Sequence, residues 1–189
     1  MDPHPPGAIV RTADVGTSAP GSGLPAWAAA SGPAGLRATL GLVRPRGALA
    51  DGHVLAALAA AVPVVLLLRL LLPGPHGPPA ADPWVLVGLL CFQPAIEELC
   101  FRGLLQGALL RTVLGRARAW GLSGANALTG VLFLVAHLAG HTPWQAAAVL
   151  VPSLVLGHLR ERSGSVFPSL AVHAFYNLAA LLALGGPTP

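Results

Sequence analysis

The sequence predicts an all-α protein, a polytopic transmembrane helix bundle with about five spans, and three observations predict it. First, the chain of 189 residues is 54% hydrophobic and only 10% charged, with mean hydropathy +0.69, whereas soluble domains run nearer a quarter charged. Second, its apolar residues gather into long runs, several of them about the 20 residues needed to cross a hydrocarbon core of about 30 Å. Third, its arginines fall in alternate connections between those runs. The formal charge of +4 and pI near 10.5 would suit a nucleic-acid ligand, but the 11 basic residues are all Arg and dispersed. No nucleic-acid partner is expected, and the lipid bilayer is.

Residues 1–50, rich in Pro, Gly, Ala and Ser, are expected to form a disordered or interfacial N-terminal tail, with Trp27 and 36–43 as a short interfacial piece. The start of the chain lacks the basic-then-apolar layout of a cleaved signal peptide, so the first span is expected to be an uncleaved anchor. Residues 51–82 hold that span, 53–72 with a kink at Pro63, and a Pro/Gly-rich loop. Residues 83–186 hold the rest: runs over 84–110, 120–139, 144–159 and 166–184, the third and fourth spans joined by the tight turn "GHTP". The run over 84–110 exceeds one perpendicular crossing, so tilt or a kink near Pro94 is expected.

Arg37, Arg44 and Arg46 precede span one, Arg111, Arg116 and Arg118 follow span two, and Arg160 and Arg162 follow span four. Such alternation predicts five crossings with the N-terminus cytoplasmic, and Trp84, Trp120 and Trp144 each open a span as interfacial anchors. Arg69 is the discordant charge. The Lys-free, Ala/Gly/Pro/Leu/Arg-rich composition matches a GC-rich coding sequence, so a bacterial cytoplasmic (inner) membrane is the expected location. Cys91 and Cys100, nine residues apart on one helix, lie beyond disulfide reach and read as packing residues.

Charged groups at bilayer depth cost at least about 2.5–3.5 kcal/mol each, so they face the bundle interior and mark function. Glu98 and Arg102, at i,i+4 in acid-first order, predict an ion pair. Glu97, turned about 100° from Glu98, is left free for chemistry. "FLVAH" places Phe133 and His137 on one face of span three, and "HAFYN" places His173 and Asn177 on one face of span five. Polar patches on separate membrane helices lower their cost by meeting, so Glu97, His137, His173 and Asn177 are predicted to converge. A carboxylate backed by an imidazole can take a proton from water while an imidazole N–H and an amide stabilise an oxyanion, which suffices for peptide hydrolysis. Ser123, Ser153 and Ser169 lie in no nucleophile-elbow pattern.

The ordered set "EELCFR" (97–102), "FLVAH" (133–137) and "HAFYN" (173–177) resembles the EExxxR, FxxxH and HxxxN signatures of the CPBP intramembrane protease family, over roughly residues 84–185. That family includes type II CAAX prenyl endopeptidases and Abi-like bacteriocin-processing or immunity proteins. The resemblance implies a CPBP-like catalytic domain at 83–186 in which Glu97 and His137 activate water and His173 and Asn177 stabilise the tetrahedral oxyanion. It implies structural support from Arg102 acting through Glu98; Phe133 is expected to shape the site by packing. The family, described first as metalloproteases and later as glutamic proteases, demands no metal, and no metal or other cofactor is expected. Zinc is the minority alternative, through an HxxxH pair of His137 and His141.

The expected substrate is a membrane-anchored protein or peptide: a lipidated tail, a peptide precursor or a sorting anchor. The rival readings are a non-catalytic immunity or scaffold protein of the same fold and a small proton-relay transporter. Counting about 1.5 Å per residue from the flanking arginines puts Glu97 roughly 21 Å, His173 roughly 16 Å and His137 roughly 28 Å deep. A later start to span three, near Ser123, would bring His137 down.

Overall fold

The structure, a computed structural model, describes residues 32–45, 50–71 and 82–184. The expectations for Trp27 and for the loop over 72–81 lie outside the described residues. Helix α1 (Gly32–Leu40) is followed by α2 (Gly52–Leu71), which runs unbroken through Pro63, and by the long α3 (Pro83–Leu109). After α4 (Val113–Arg116) come the strands β1 (Arg118–Ala119) and β2 (Leu122–Ser123), then α5 (Gly124–His137), α6 (Pro143–Ala148), α7 (Leu150–Ser163) and α8 (Val166–Leu184). The protein is all-α apart from that one short hairpin among the described residues.

Local chemistry sets the ends of these helices. Asp82 accepts the Trp84 N–H at 2.8 Å with Pro83 in the first turn, which starts α3. Ser123 Oγ accepts the Asn126 N–H at 2.9 Å and starts α5. Gly164, at φ 68°, ends α7 in the left-handed conformation that glycine adopts without strain. Within α3 the stretches Gly88–Phe92 and Glu98–Gln106 are π-helical, and Pro94 follows the first of them.

Two expectations are corrected. The helix expected as the third span begins at Gly124, not Trp120, because Ala119–Leu122 turns back on itself: Trp120 at φ 51° and Gly121 at φ 81° supply the two left-handed residues of a tight hairpin. Counted from that start, His137 stands about 20 Å along its helix rather than roughly 28 Å. The run expected as the fourth span is not one helix. Pro152 has no N–H to give the Ala148 carbonyl, and the chain breaks at Val149 into α6 and α7.

By length and composition, Pro83–Leu109 and Val166–Ala183 can cross a membrane, while Gly52–Leu67 and Gly124–His137 are shorter apolar helices. Large apolar side chains point outward, among them Leu66 on α2, Phe92 and Ile96 on α3 and Val135 on α5. Ser, Thr, Asn, Gln, Glu and Arg side chains are buried between the helices, the distribution that suits a lipid surround. Val54 and Ala57 of α2, Leu156 and Leu159 of α7 and Val172 of α8 form the apolar core. Tyr176 adds a hydrogen bond from its hydroxyl to the Ala57 carbonyl at 2.9 Å.

One end of the bundle collects most of the described arginines. Arg111 donates to Thr39 Oγ1 at 3.1 Å, Arg160 to the Thr39 carbonyl at 2.8 Å, Arg118 pairs with Glu161 at 2.8 Å, and Arg162 pairs with Asp51 at 2.9 Å. The His53 backbone N–H and Arg162 hold the Asp51 carboxyl below its ordinary pKa. Ser123 Oγ and Gln106 Nε2 both donate to Glu161 Oε1. Arg69 lies at the other end and donates to the Leu182 carbonyl at 2.5 Å, so it caps the end of α8.

Residues of 32–45, expected as tail with 36–43 as a short interfacial piece, dock on this arginine-bearing end. A Cβ on Gly107 would lie 2.1 Å from the Thr39 carbonyl oxygen, and one on Gly103 3.0 Å from that of Leu40. Gly41, at φ 70°, leaves no room for a side chain beside Arg160. Gly107→Ala must therefore push backbone away from backbone. It is expected to destabilise the protein by about 1–3 kcal/mol, seen as a lower unfolding temperature in detergent, whereas Gly140→Ala, with open space around it, should have no such effect.

Candidate active site

Helices α3, α5, α7 and α8 each bring one polar patch to a common level. Glu98 and Arg102 are fully buried on α3 and pair at 3.2 Å, Nη1 to Oε1. A buried guanidinium needs more than one partner. Arg102 Nη2 also donates to Ser153 Oγ at 2.9 Å and to the Ser153 carbonyl at 3.2 Å, and its Cζ lies 4.5 Å from the Phe133 ring centroid. Ser153, which the sequence reading considered only as a nucleophile, is thus the hydrogen-bond partner of this arginine.

His173 stands between the two glutamates. A carboxylate only accepts, so Nδ1 donates to Glu98 Oε1 at 2.9 Å, while Nε2 lies 3.6 Å from Glu97 Oε2. That second separation is too long for a direct hydrogen bond. Glu97 Oε2 is buried and has no hydrogen-bond partner among the described residues, as is true of Glu98 Oε2. Gln93 Nε2 holds the other Glu97 oxygen, Oε1, at 3.0 Å. Gln93 was not singled out from the sequence; its position four residues before Glu97, one turn away on the same face, was the available signal.

His137 ends α5. Its Nδ1 must donate to the Phe133 carbonyl, 2.8 Å away, because a carbonyl cannot donate; in the neutral ring this leaves Nε2 with its lone pair. The buried Phe133 ring packs 4.3 Å from His137, 4.9 Å from Phe101 and 6.2 Å from His173, centroid to centroid. Phe133 is the common wall of the site. His137 makes no hydrogen bond or ion pair to Glu97 or His173 among the described contacts, so its proximity to them runs through Phe133.

Asn177, one turn beyond His173, donates from Nδ2 to the Leu89 carbonyl at 3.0 Å. The cause lies in the first π-helical stretch. There the Gln93 N–H bonds to the Gly88 carbonyl, and in that five-residue register the partner for Leu89 would be Pro94, which has no N–H. The orphaned carbonyl takes the Asn177 amide, which keeps a second N–H. Proximity to Glu97 itself is not among the contacts of Asn177.

His141 is exposed, with Nδ1 3.3 Å from the His137 carbonyl. Among the described residues no three His, Cys, Asp or Glu side chains converge as metal ligands. Chemically, the arrangement offers a fixed carboxylate with one open oxygen, an imidazole anchored at its far nitrogen, a second imidazole of defined tautomer and an amide donor. A family model described as "Type II CAAX prenyl endopeptidase Rce1-like" matches residues 79–179, more than half of the chain. No curated protein and no solved structure matches it.

Proposed function

This chain belongs to the type II CAAX prenyl endopeptidase Rce1-like family, and on that premise we propose that it is an intramembrane endopeptidase of the glutamic type, hydrolysing a peptide bond of a membrane-anchored protein or peptide. The observation that carries the reading is the 3.6 Å interval between His173 Nε2 and the open, buried Oε2 of Glu97. A buried acceptor without a donor is costly, and a separation of this size accommodates a shared polar group such as water or a developing oxyanion.

In the proposed reaction Glu97 Oε2 takes a proton from water, assisted by the free Nε2 of His137. The water oxygen bonds to the carbonyl carbon of the substrate. The resulting oxyanion is stabilised by a protonated His173 Nε2 and by the second N–H of Asn177. Collapse of the tetrahedral species breaks the C–N bond as Glu97 returns its proton to the leaving nitrogen, giving a carboxylic acid and an amine, and the acid then loses its proton to the amine or to solvent. Glu98 and Arg102 hold His173 in place, and Gln93 fixes which oxygen of Glu97 faces it. Substitution of Glu97 with measurement of peptide cleavage tests the assignment.

The proposed membrane arrangement has five crossings, α2, α3, α5, the broken α6–α7 pair and α8. Its arginine-bearing end faces the cytoplasm of a bacterial cell, as loops of this charge do. No metal takes part in the proposed chemistry: the exposed His141 is turned to a backbone carbonyl rather than toward the site. Prolonged treatment with a strong chelator is expected to leave activity unchanged, and His141→Ala is expected to be mild beside His137→Ala. Activity lost to the chelator and restored by zinc would refute this and bring His141 into the site.

A further inference from the structure

We infer that the site is closed toward the arginine-bearing end by residues 38–43 and opens toward the opposite end, so that its substrates are polypeptides anchored in the bilayer with the scissile bond in the outer half or at the outer surface. The word substrate rests on the catalytic reading above; the direction of opening rests on geometry alone.

The closure is built from the three helices that carry Glu98, Ser153 and His173. Followed from the site toward the arginine-bearing end, they meet in a layer of Gln106, Leu156, Arg160 and Ser169, every one of them at most 1% exposed. Ser169 Oγ donates to the Leu156 carbonyl at 3.1 Å and Gln106 Nε2 to the Gly157 carbonyl at 3.0 Å, while Gln106 Oε1 is buried with no hydrogen-bond partner among the described residues. Beneath it lies the backbone of 38–43. Arg160 donates to the Ala38 and Thr39 carbonyls, the Val166 N–H to the Gly41 carbonyl at 3.0 Å, and Ser165 Oγ to the Val43 carbonyl at 2.7 Å. The approaches at Gly41, Gly103 and Gly107 are too close for even one added methyl group without a shift. A polypeptide segment cannot reach Glu97 through such a floor unless α1 leaves.

The opposite end is open in the same sense. Helix α5 has 14 residues, about 20 Å of rise against a hydrocarbon core of about 30 Å, and it ends on His137. The residues that follow, 138–142, form an exposed turn. His137 therefore stands at the outer tip of its helix, with only that exposed turn beyond it. Gln93 is exposed on that side and reaches down to Glu97 Oε1, and the Glu97 side chain as a whole keeps 19% of its surface exposed while its Oε2 is covered. A soluble cytoplasmic tail therefore meets the floor, whereas a chain held in the outer leaflet meets the side that Gln93 and the turn over 138–142 leave uncovered by packed helices.

The test is thiol labelling in the full-length protein, in a Cys91→Ser, Cys100→Ser background because both native thiols are exposed. Gln93→Cys and Ser169→Cys are probed separately with a charged, membrane-impermeant methanethiosulfonate in right-side-out and inverted vesicles. Gly140→Cys and Leu114→Cys mark the two faces. The thiol of Gln93→Cys is expected to label from the Gly140 side only, and that of Ser169→Cys at least tenfold more slowly than Leu114→Cys from the arginine-bearing side. Labelling of Gln93→Cys from the arginine-bearing side, or from neither side, overturns the inference, as does fast labelling of Ser169→Cys from the Leu114 side. Labelling needs no turnover, so an active Glu97→Gln variant would refute the catalytic reading and leave this pattern unchanged.

Discussion

Glu97→Gln is expected to lower peptide-bond cleavage by about 10²–10⁴-fold while the protein still folds, the range that loss of a general base commonly produces. The substitution keeps the volume of the side chain and a carbonyl oxygen for Gln93 Nε2, which now bonds Glu97 Oε1 at 3.0 Å. What it removes is the basic oxygen facing His173 Nε2 across 3.6 Å. An amide cannot accept the proton of the attacking water, and it would place either a non-basic oxygen or an N–H against the imidazole. Unfolding in detergent should be unchanged within about 0.5 kcal/mol. The measurement is mass-spectrometric mapping of membrane-anchored peptides incubated with either protein. Near-normal turnover by Glu97→Gln would remove Glu97 from the mechanism and favour the non-catalytic scaffold.

Arg102→Ala is expected to be the most damaging single change to stability, about 3–5 kcal/mol, because it removes one partner of a buried pair. Glu98 is left fully buried with only His173 for company. Ser153 loses the donor to both its hydroxyl and its carbonyl, and Phe133 loses the cation over its ring. His173 is held by the same Glu98 oxygen, so activity should fall with stability. Expression yield and thermal unfolding in detergent would show it. A well-expressed, stable but inactive Arg102→Ala protein would instead give the guanidinium a direct part in the chemistry.

What the sequence made legible follows from period. The Glu98–Arg102 pair could be read because i and i+4 share a helical face, and the Phe133–His137 contact for the same reason. The ring-to-ring distance of 4.3 Å and the bond to the Phe133 carbonyl belong to that local register. What could not be read was pitch. The α-helical count turns Glu97 well away from Glu98, yet one imidazole lies within 3.6 Å of both carboxylates, in a helix that turns π-helical from Glu98 onward. Nor could the count show that the Asn177 amide is engaged by Leu89, since that depends on which carbonyl Pro94 leaves without a donor. The docking of 38–43 was hidden for another reason: its contacts run through backbone carbonyls and glycine notches, and neither leaves an apolar period in the sequence. The hairpin at Trp120 was missed because its apolar residues continue the hydrophobic run that follows.

The widened pitch of α3 also bears on how its gene can change. A π turn holds one residue more than an α turn, so an insertion or deletion within 88–106 does not merely lengthen or shorten the helix. A residue dropped from Gly88–Phe92 could be absorbed as that turn tightened to the ordinary pitch, whereas one dropped from the α-helical stretch 93–96 would rotate everything before it by about 100° relative to Glu97. The Leu89 carbonyl would leave the Asn177 amide. The hairpin tip at 119–122, with Trp120 fully exposed, could gain or lose a residue and disturb only a surface turn. Codon count is therefore fixed over 93–96 and free to drift at the hairpin, so an indel in that turn of α3 would separate the Glu97 carboxylate from its neighbours as effectively as a substitution.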